Sequence, residues 1–99
     1  MSQGRYWSVT LNNYEDNDLH NWTTLCESGK ADYICFQEET APTTGTKHLQ
    51  GYVVFGKVVR LTGVKKLLGT AIHAVRSNGT PSQNRAYCSK EEGTNFQEF

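Results

Sequence analysis

Hydrophobic and polar residues alternate in several stretches of the chain, and this period of two is typical of strands buried on one face. In residues 5–12 the apolar side chains share one face and the polar side chains share the other. The same reasoning predicts strands at 33–39, at 48–55 and, more weakly, at 71–76. The loop at 40–46 is rich in Thr, Pro and Gly, so the second and third strands are predicted to form a hairpin.

Apolar residues at helical spacing predict two helices between these strands, and a capping signature predicts a third helix after the last strand. The first follows a cluster of acidic residues and ends near Gly29, and the second spans 61–68. A third helix begins at 80–83, where Thr, Pro and Gln form the signature of a capping box, and it is expected to end near Gly93.

The predicted order β-α-β-β-α-β-α indicates an α+β fold, an antiparallel sheet flanked by helices of the ferredoxin-like kind. The 99 residues fit a single domain. No apolar run reaches the roughly 18–20 residues of a membrane span, and the first residues lack the apolar core of a secretory signal. An intracellular protein without a membrane partner is therefore expected. Three cysteines without a C-x-x-C pair argue against a disulfide framework or a thiolate zinc site.

Charge is distributed unevenly along the chain although the total is zero. Residues 1–56 carry a net charge of −4, residues 57–90 carry +7 without a single acidic residue, and residues 91–99 carry −3. This asymmetry favours a basic surface that faces a polyanion beside an acidic region that holds a cation. A pair of solvated, charged helices would give the same pattern.

Strand parity places the candidate chemistry at one end of the hairpin. In the third predicted strand Leu49, Val53 and Phe55 share the core face, and the opposite face carries His48, Gln50 and Tyr52. The same alternation in the second strand puts Glu39 on the face of His48 and Gln50. Glu38 falls on the core side unless a bulge shifts the register, and it remains the alternative to Glu39.

A carboxylate, an imidazole and an amide oxygen form a set of mostly hard ligands. Such a set suits Mg²⁺ or Mn²⁺ better than zinc, which usually takes more nitrogen or sulfur ligands. Spacing alone does not distinguish this metal site from an ordinary polar hairpin end.

A second candidate site lies on the third predicted helix, where Tyr87 and Lys90 are three residues apart and share one face. A tyrosine hydroxyl can attack phosphorus and form a covalent intermediate when a cation or in-line placement assists it. A tyrosine packed on the sheet beside a solvated lysine explains the same spacing.

Three motifs occur in the chain: Val9-Thr10-Leu11-Asn12-Asn13, His48-Leu49-Gln50-Gly51-Tyr52 and Tyr87-Cys88-Ser89-Lys90. Together, and in this order and spacing, they resemble the N-terminal nuclease domain of replication initiator (Rep) proteins from circular single-stranded DNA viruses of circovirus and nanovirus type. These belong to the HUH endonucleases. The resemblance spans about residues 5–93. Gln50 stands where the broader family has a second histidine, and the circovirus-like branch also uses glutamine.

The resemblance implies an HUH endonuclease that nicks single-stranded DNA in the exposed loop of an origin hairpin. It starts rolling-circle replication and later rejoins the DNA without ATP. Glu39, His48 and Gln50 would hold one Mn²⁺ or Mg²⁺. Tyr87 would form a 5′-phosphotyrosyl link to the DNA, and Lys90 would steady the phosphate or the phenolate. The expected DNA contacts are Ser8, Thr10, Asn12 and Asn13 in the first motif region and Lys57, Arg60, Arg76 and Arg85 in the basic segment.

Further expectations concern the other parts of a full-length initiator, the location of the protein and an alternative function. Such initiators usually continue into an oligomerisation segment and a helicase domain, and the full-length protein is expected to oligomerise through those parts. The 99 residues contain no Walker A motif, so the chain resembles an isolated nuclease domain that does not hydrolyse ATP. The resemblance places it in the host nucleus. The alternative is a non-enzymatic single-stranded nucleic-acid-binding module that stacks bases on Tyr6, Tyr33 and Tyr52.

Overall fold

The computed structural model describes residues 3–77, 79–89 and 93–99, and these residues form five strands and three helices. In chain order the elements are β1 (Gln3–Asn12), α1 (Asp16–Thr24), β2 (Tyr33–Thr40), β3 (Lys47–Arg60), α2 (Leu61–Leu68), β4 (His73–Arg76), α3 (Pro81–Cys88) and β5 (Thr94–Glu98). The strands form one sheet in the order β4-β1-β3-β2-β5, with every neighbouring pair antiparallel. The predicted α+β architecture is confirmed, and it is consistent with the HUH endonuclease domain.

The main core lies between one face of the sheet and the helices α1 and α2. It contains the apolar residues of β1, β2 and β3 that alternation places on one face, and Trp22 and Leu68 enter it from the two helices. The Trp22 indole nitrogen donates a hydrogen bond to the Leu68 carbonyl at 3.2 Å. The buried indole is therefore satisfied, and the same bond ties the two helices to each other.

The opposite face of the sheet is covered in its middle by α3. Cys88, the last residue of this helix, packs with Cys35 of β2 and Tyr52 of β3 in a second buried cluster. Because Tyr52 is fully buried, its ring does not present a stacking surface to solvent. The expectation that Tyr52 stacks on nucleic-acid bases is therefore wrong.

A capping box begins α3, and an ion pair ties the helix to the sheet. At its start the predicted capping box is present, with the Gln83 amide donating to Thr80 Oγ1 at 3.1 Å and the Thr80 amide to Gln83 Oε1 at 3.0 Å. Further along, the Arg85 guanidinium makes two hydrogen bonds to the Glu98 carboxylate of β5, at 2.6 and 2.9 Å. This bidentate pair lowers the pKa of Glu98 to about 2, with a smaller contribution from the Tyr33 hydroxyl.

The sequence pattern misses β5 and places several element ends incorrectly. The stretch Thr94–Glu98 has one apolar residue, Phe96, and it becomes a strand because it pairs with the open edge of β2. The third strand continues to Arg60 because β1 begins earlier than predicted and pairs with it. The helix α3 ends at Cys88, before Gly93, since Ser89 leaves the helical conformation and its hydroxyl donates back to the Arg85 carbonyl at 2.9 Å.

None of the helices in the described parts of the chain has the length and apolar character that a membrane span requires.

The glycine of the second motif, Gly51, should not tolerate a side chain. A Cβ at this position would lie 2.9 Å from the Trp22 ring and 3.0 Å from the Cys35 carbonyl, in the buried core. We expect Gly51→Ala to lower the free energy of unfolding by roughly 1–3 kcal/mol, the usual cost of overpacking. Urea denaturation measures this. Gly56→Ala is the matched control in the same strand, because its Cβ would meet only the exposed Asp32 carboxylate. Equal stability of the two variants would contradict the close packing of Gly51 against Trp22.

The Arg85–Glu98 pair predicts a specific titration. The carboxylate of Glu98 should titrate near 2 in the wild-type protein, and in Arg85→Gln its pKa should rise towards the ordinary value, because the largest stabilising partner is lost. The stabilisation by this pair is complete above the ordinary carboxyl pKa and is lost as the pH falls towards 2. Carboxyl carbon chemical shifts give the pKa. Lys57→Gln removes a cation elsewhere and should leave Glu98 unchanged; a wild-type pKa above 4 would contradict the tether.

Candidate active site

The β2–β3 hairpin brings Glu39 and His48 into direct contact. They are Cα partners in the antiparallel register, and Glu39 Oε1 lies 3.2 Å from His48 Nε2. The loop between them is closed by the Ala41 amide, which donates to the Thr46 carbonyl at 2.9 Å. Both side chains are mostly buried, so the carboxylate and the imidazole form a pre-positioned pair at the hairpin end.

Gln50 follows His48 on the same face of β3, and its register partners are Gln37 of β2 and Thr10 of β1. The Thr10 hydroxyl donates to Gln50 Oε1 at 3.0 Å and so orients the amide. The structure therefore places the predicted carboxylate, imidazole and amide on one sheet face. Within the described ranges no group of three or more His, Cys, Asp or Glu side chains is arranged to hold a metal ion. The predicted set contains two such residues and an amide.

Gln37 is a residue of this site that the sequence did not single out. Its side chain is almost completely buried, and Nε2 donates to Glu39 Oε2 at 2.9 Å. Gly93 lies directly against it, since a Cβ at Gly93 would be 2.1 Å from Gln37 Cδ. The Glu39 carboxylate is thus held by His48 at one oxygen and by Gln37 at the other. Alternation along β2 places Gln37 on the face of Glu39, and the side-chain hydrogen bond shows that the two groups meet.

Glu38 points to the other side of the sheet, as parity predicts. The Tyr14 hydroxyl donates to its Oε1, and Asn95 Nδ2 donates to its Oε2 at 2.6 Å. Burial, together with the bond to Glu38, raises the pKa of Tyr14 to about 12. The β2–β3 register runs without interruption through this region, so no bulge exchanges the two glutamates. The metal role of Glu39 stays a prediction, but Glu38 lies on the wrong face for it.

Tyr87 lies on α3, above the same sheet face as Glu39 and His48. Its side chain is 55% exposed, and the next residue, Cys88, is the buried anchor of the helix on the sheet. The partners of that anchor, Cys35 and Tyr52, lie four residues along their strands from Glu39 and His48, a distance of about 13 Å. Lys90, the predicted companion of Tyr87, lies outside the described residues.

The predicted DNA contacts of β1 lie along the polar face of that strand. Ser8 Oγ is 3.4 Å from Asn84 Oδ1 of α3, and Thr10 supports Gln50. Asn12 is exposed opposite His48 at the end of the strand. Asn13 turns the chain with φ of 55°, and its amide donates to the Lys47 carbonyl at 2.7 Å. Only part of this polar face is thus open to a ligand.

The predicted basic contacts lie towards the other end of the sheet. Arg60 is the register partner of Gln3, Arg76 is the partner of Trp7, and Lys57 lies between them on β3. All three are exposed. Arg85 differs, because its guanidinium is committed to Glu98. Arg60 shares the sheet face of Glu39 and His48 and lies about 30 Å from them, the span of the nine residue steps from Gln3 to Asn12 on β1. Arg76 pairs with the buried Trp7 and therefore lies on the face of α1 and α2.

Known proteins are similar to this chain in sequence over most of its length. The family described as "Putative viral replication protein" matches residues 4–91. The chain is 41% identical over 85 residues to Para-Rep C2 of Milk vetch dwarf C2 alphasatellite, covering 86% of the chain and 30% of that protein. It is 37% identical over 89 residues to the replication-associated protein of Human associated cyclovirus 1, covering 87% of the chain and 30% of that protein.

A third relative is the replication-associated protein of Porcine circovirus 1, which is 36% identical over 85 residues, or 86% of the chain and 27% of that protein. The chain thus spans about 30% of the length of the curated relatives it matches. The family match covers both β-strands of the hairpin and the helix that carries Tyr87. The chain therefore belongs to the viral replication protein family, as a Rep domain of a circular single-stranded DNA virus.

Proposed function

We propose that this Rep domain is a sequence-specific endonuclease and strand transferase that nicks single-stranded DNA at a viral origin. One observation carries the proposal: the paired Glu39 and His48 side chains lie on the sheet face to which α3, with Tyr87, is anchored. Membership of the replication protein family supports it, because replication from a circular strand requires a primer with a free 3′-hydroxyl.

The residues of the hairpin end fit a single divalent cation. Glu39, His48 and Gln50 would supply a carboxylate oxygen, an imidazole nitrogen and an amide oxygen, which suits Mn²⁺ or Mg²⁺. A bound ion of this kind supplies Lewis-acid polarisation of a non-bridging phosphate oxygen. Gln37 and Thr10 hold the donor groups of Glu39 and Gln50 from behind, as outer-shell partners do in metal sites.

The chemical step that we propose is a direct phosphoryl transfer to Tyr87. Its hydroxyl oxygen forms a bond to phosphorus, and the bond between phosphorus and the 3′ oxygen of the preceding nucleotide breaks. The phenolic proton is lost from Tyr87 and a proton is taken up by the departing 3′ oxygen, so a free 3′-hydroxyl and a 5′-phosphotyrosyl link result. Attack by a 3′-hydroxyl reverses the step and rejoins DNA without ATP. Lys90 would steady the phosphate or the phenolate.

Binding of the DNA strand would use the exposed cations at the end of the sheet away from the hairpin. Lys57 and Arg60 are available for phosphate contacts, and the polar face of β1 is available for base edges. We do not assign Arg85 to the phosphates, because it is held by Glu98.

The nucleophile is tested by Tyr87→Phe, which keeps the ring and removes only the hydroxyl. We expect no cleavage and no covalent adduct on a denaturing gel with single-stranded DNA and Mn²⁺, and DNA binding within about twofold of wild type. Tyr14→Phe is the matched control on the other sheet face and should cleave normally. An adduct that persists in Tyr87→Phe would assign the nucleophile to another residue. Metal-independent binding without any adduct in the wild type would indicate a non-enzymatic binding module.

The two adjacent glutamates test the metal site. We expect Glu39→Ala to weaken Mn²⁺ binding by more than about tenfold, the loss that removal of even an outer-shell partner can cause. Glu38→Ala should leave the Mn²⁺ affinity near wild type, because its carboxylate lies on the far face. Titration with Mn²⁺, followed by electron paramagnetic resonance of the free ion, gives the affinity independently of cleavage. EDTA should stop cleavage, and added Mn²⁺ should restore it. The reverse order of the two variants would contradict the site.

A further inference from the structure

A groove of about 450 Å³ opens on the α3 side of the sheet, at the end away from Glu39 and His48. Its walls include the rings of Tyr6 and Tyr33, with Val54 of β3 between them and Pro81 of α3 above. Tyr6 is 41% exposed, so part of its ring is accessible to a ligand. The groove is therefore bounded by two aromatic surfaces and aliphatic carbon, and it is open to solvent.

The polar groups that border the groove are bonded to each other. The Tyr33 hydroxyl donates to Glu98 Oε1 at 2.6 Å. The Arg85 guanidinium donates to both oxygens of the same carboxylate. Burial, followed by the bond to Glu98, raises the pKa of Tyr33, so its hydroxyl stays protonated. The bond to Glu98 also holds the Tyr33 ring in one position. A pre-positioned ring beside a neutralised ion pair favours a flat, uncharged ligand group over an ionic one.

A cation lies beside this aromatic groove on the β1 side. The Arg5 guanidinium lies 5.7 Å from the centre of the Tyr6 ring, where its Nε donates to the Phe55 carbonyl at 2.9 Å and Nη2 makes a loose 3.8 Å contact with Asp32. Single-stranded nucleic acid is bound by aromatic surfaces for its bases and cations for its phosphates. Tyr6 and Arg5 supply one of each at the groove.

The groove and the candidate active site lie at the two ends of the polar face of β1, which α3 contacts between them at Ser8. From Tyr6 this face runs past Ser8 and Thr10 to Asn12, the register partner of His48. The six residue steps from Tyr6 to Asn12 span about 20 Å. At a spacing of at least about 3.4 Å per nucleotide, one strand covers this distance with no more than about six nucleotides. A DNA strand with its scissile phosphate at the hairpin end can therefore reach the groove.

We propose that the groove between Tyr6 and Tyr33 is a binding slot for one unpaired nucleobase of the DNA strand, a few nucleotides from the scissile phosphate. This inference rests on the proposed function, because it takes single-stranded DNA as the substrate. The base stacks on the exposed Tyr6 ring, and its phosphate lies near Arg5. The slot anchors the strand at a fixed distance from Tyr87 and so contributes to the choice of the phosphate that is cut.

The first test compares two substitutions at Tyr6. Tyr6→Ala removes the stacking surface, whereas Tyr6→Phe retains it. Fluorescence anisotropy with a single-stranded oligonucleotide that the wild-type protein cleaves should show a roughly five- to hundredfold loss of affinity for Tyr6→Ala. Tyr6→Phe should bind within about twofold of wild type. Val58→Ala, which removes a different exposed apolar side chain of β3, is the control for non-specific surface effects.

The second test locates the base. Each nucleotide of the oligonucleotide in turn is replaced by an abasic site. In the wild type, one position away from the cleavage site should lose affinity, and in Tyr6→Ala that same position should cost nothing further. The proposed base-binding slot is contradicted if Tyr6→Ala binds like wild type, or if the abasic site costs the same affinity in Tyr6→Ala as in the wild type. The proposed nuclease function is not affected by either result. A wild-type protein that neither binds nor cleaves single-stranded DNA would overturn the proposed function itself, and the slot with it.

Discussion

The antiparallel register of β2 against β3 is the constraint on which the rest of the site depends. It makes Glu39 the partner of His48 and places Gln50 two residues further on the same face. A slip by one residue would move Glu39 to the sheet face covered by α1 and α2 and bring Glu38 to the site. The register is held because Ile34, Phe36, Leu49 and Val53 are all buried on the opposite face. The hydrophobic core thus determines which glutamate faces His48.

The helix α3 imposes a second constraint, on the proposed nucleophile. The exposed side chain of Tyr87 is adjacent to the buried Cys88, so packing of the thiol on Tyr52 and Cys35 limits where the tyrosine can lie. The capping box stabilises the first turn of this helix, and the Arg85–Glu98 pair ties its later part to β5. A helix of eight residues is marginal alone, and the packing of Cys88 and the Arg85–Glu98 pair hold it on the sheet. The arrangement combines an exposed reactive group with a rigid support.

The alternation of apolar and polar residues was sufficient to predict those strands whose two faces differ in polarity. Alternation gave the buried face of β1, β2 and β3, and therefore the common face of Glu39, His48 and Gln50. It could not give β5, which has one apolar residue and exists as a strand because β2 offers an open edge. It could not show the burial of Tyr52 or the bond from Gln37 to Glu39, since both follow from how α3 and Gly93 lie on the sheet.

The separation of charge along the chain becomes a separation in space on one sheet face. The hairpin end carries Glu39 beside His48, and the opposite end carries Arg60. A cation is favoured at the first end and a phosphate chain at the second, so a DNA strand would be oriented by the field before it makes any specific contact. Because β1 pairs with both β3 and β4, its polar face forms the rigid path between these ends. Rigid spacing of this kind would convert sequence-independent phosphate binding into selection of one phosphate.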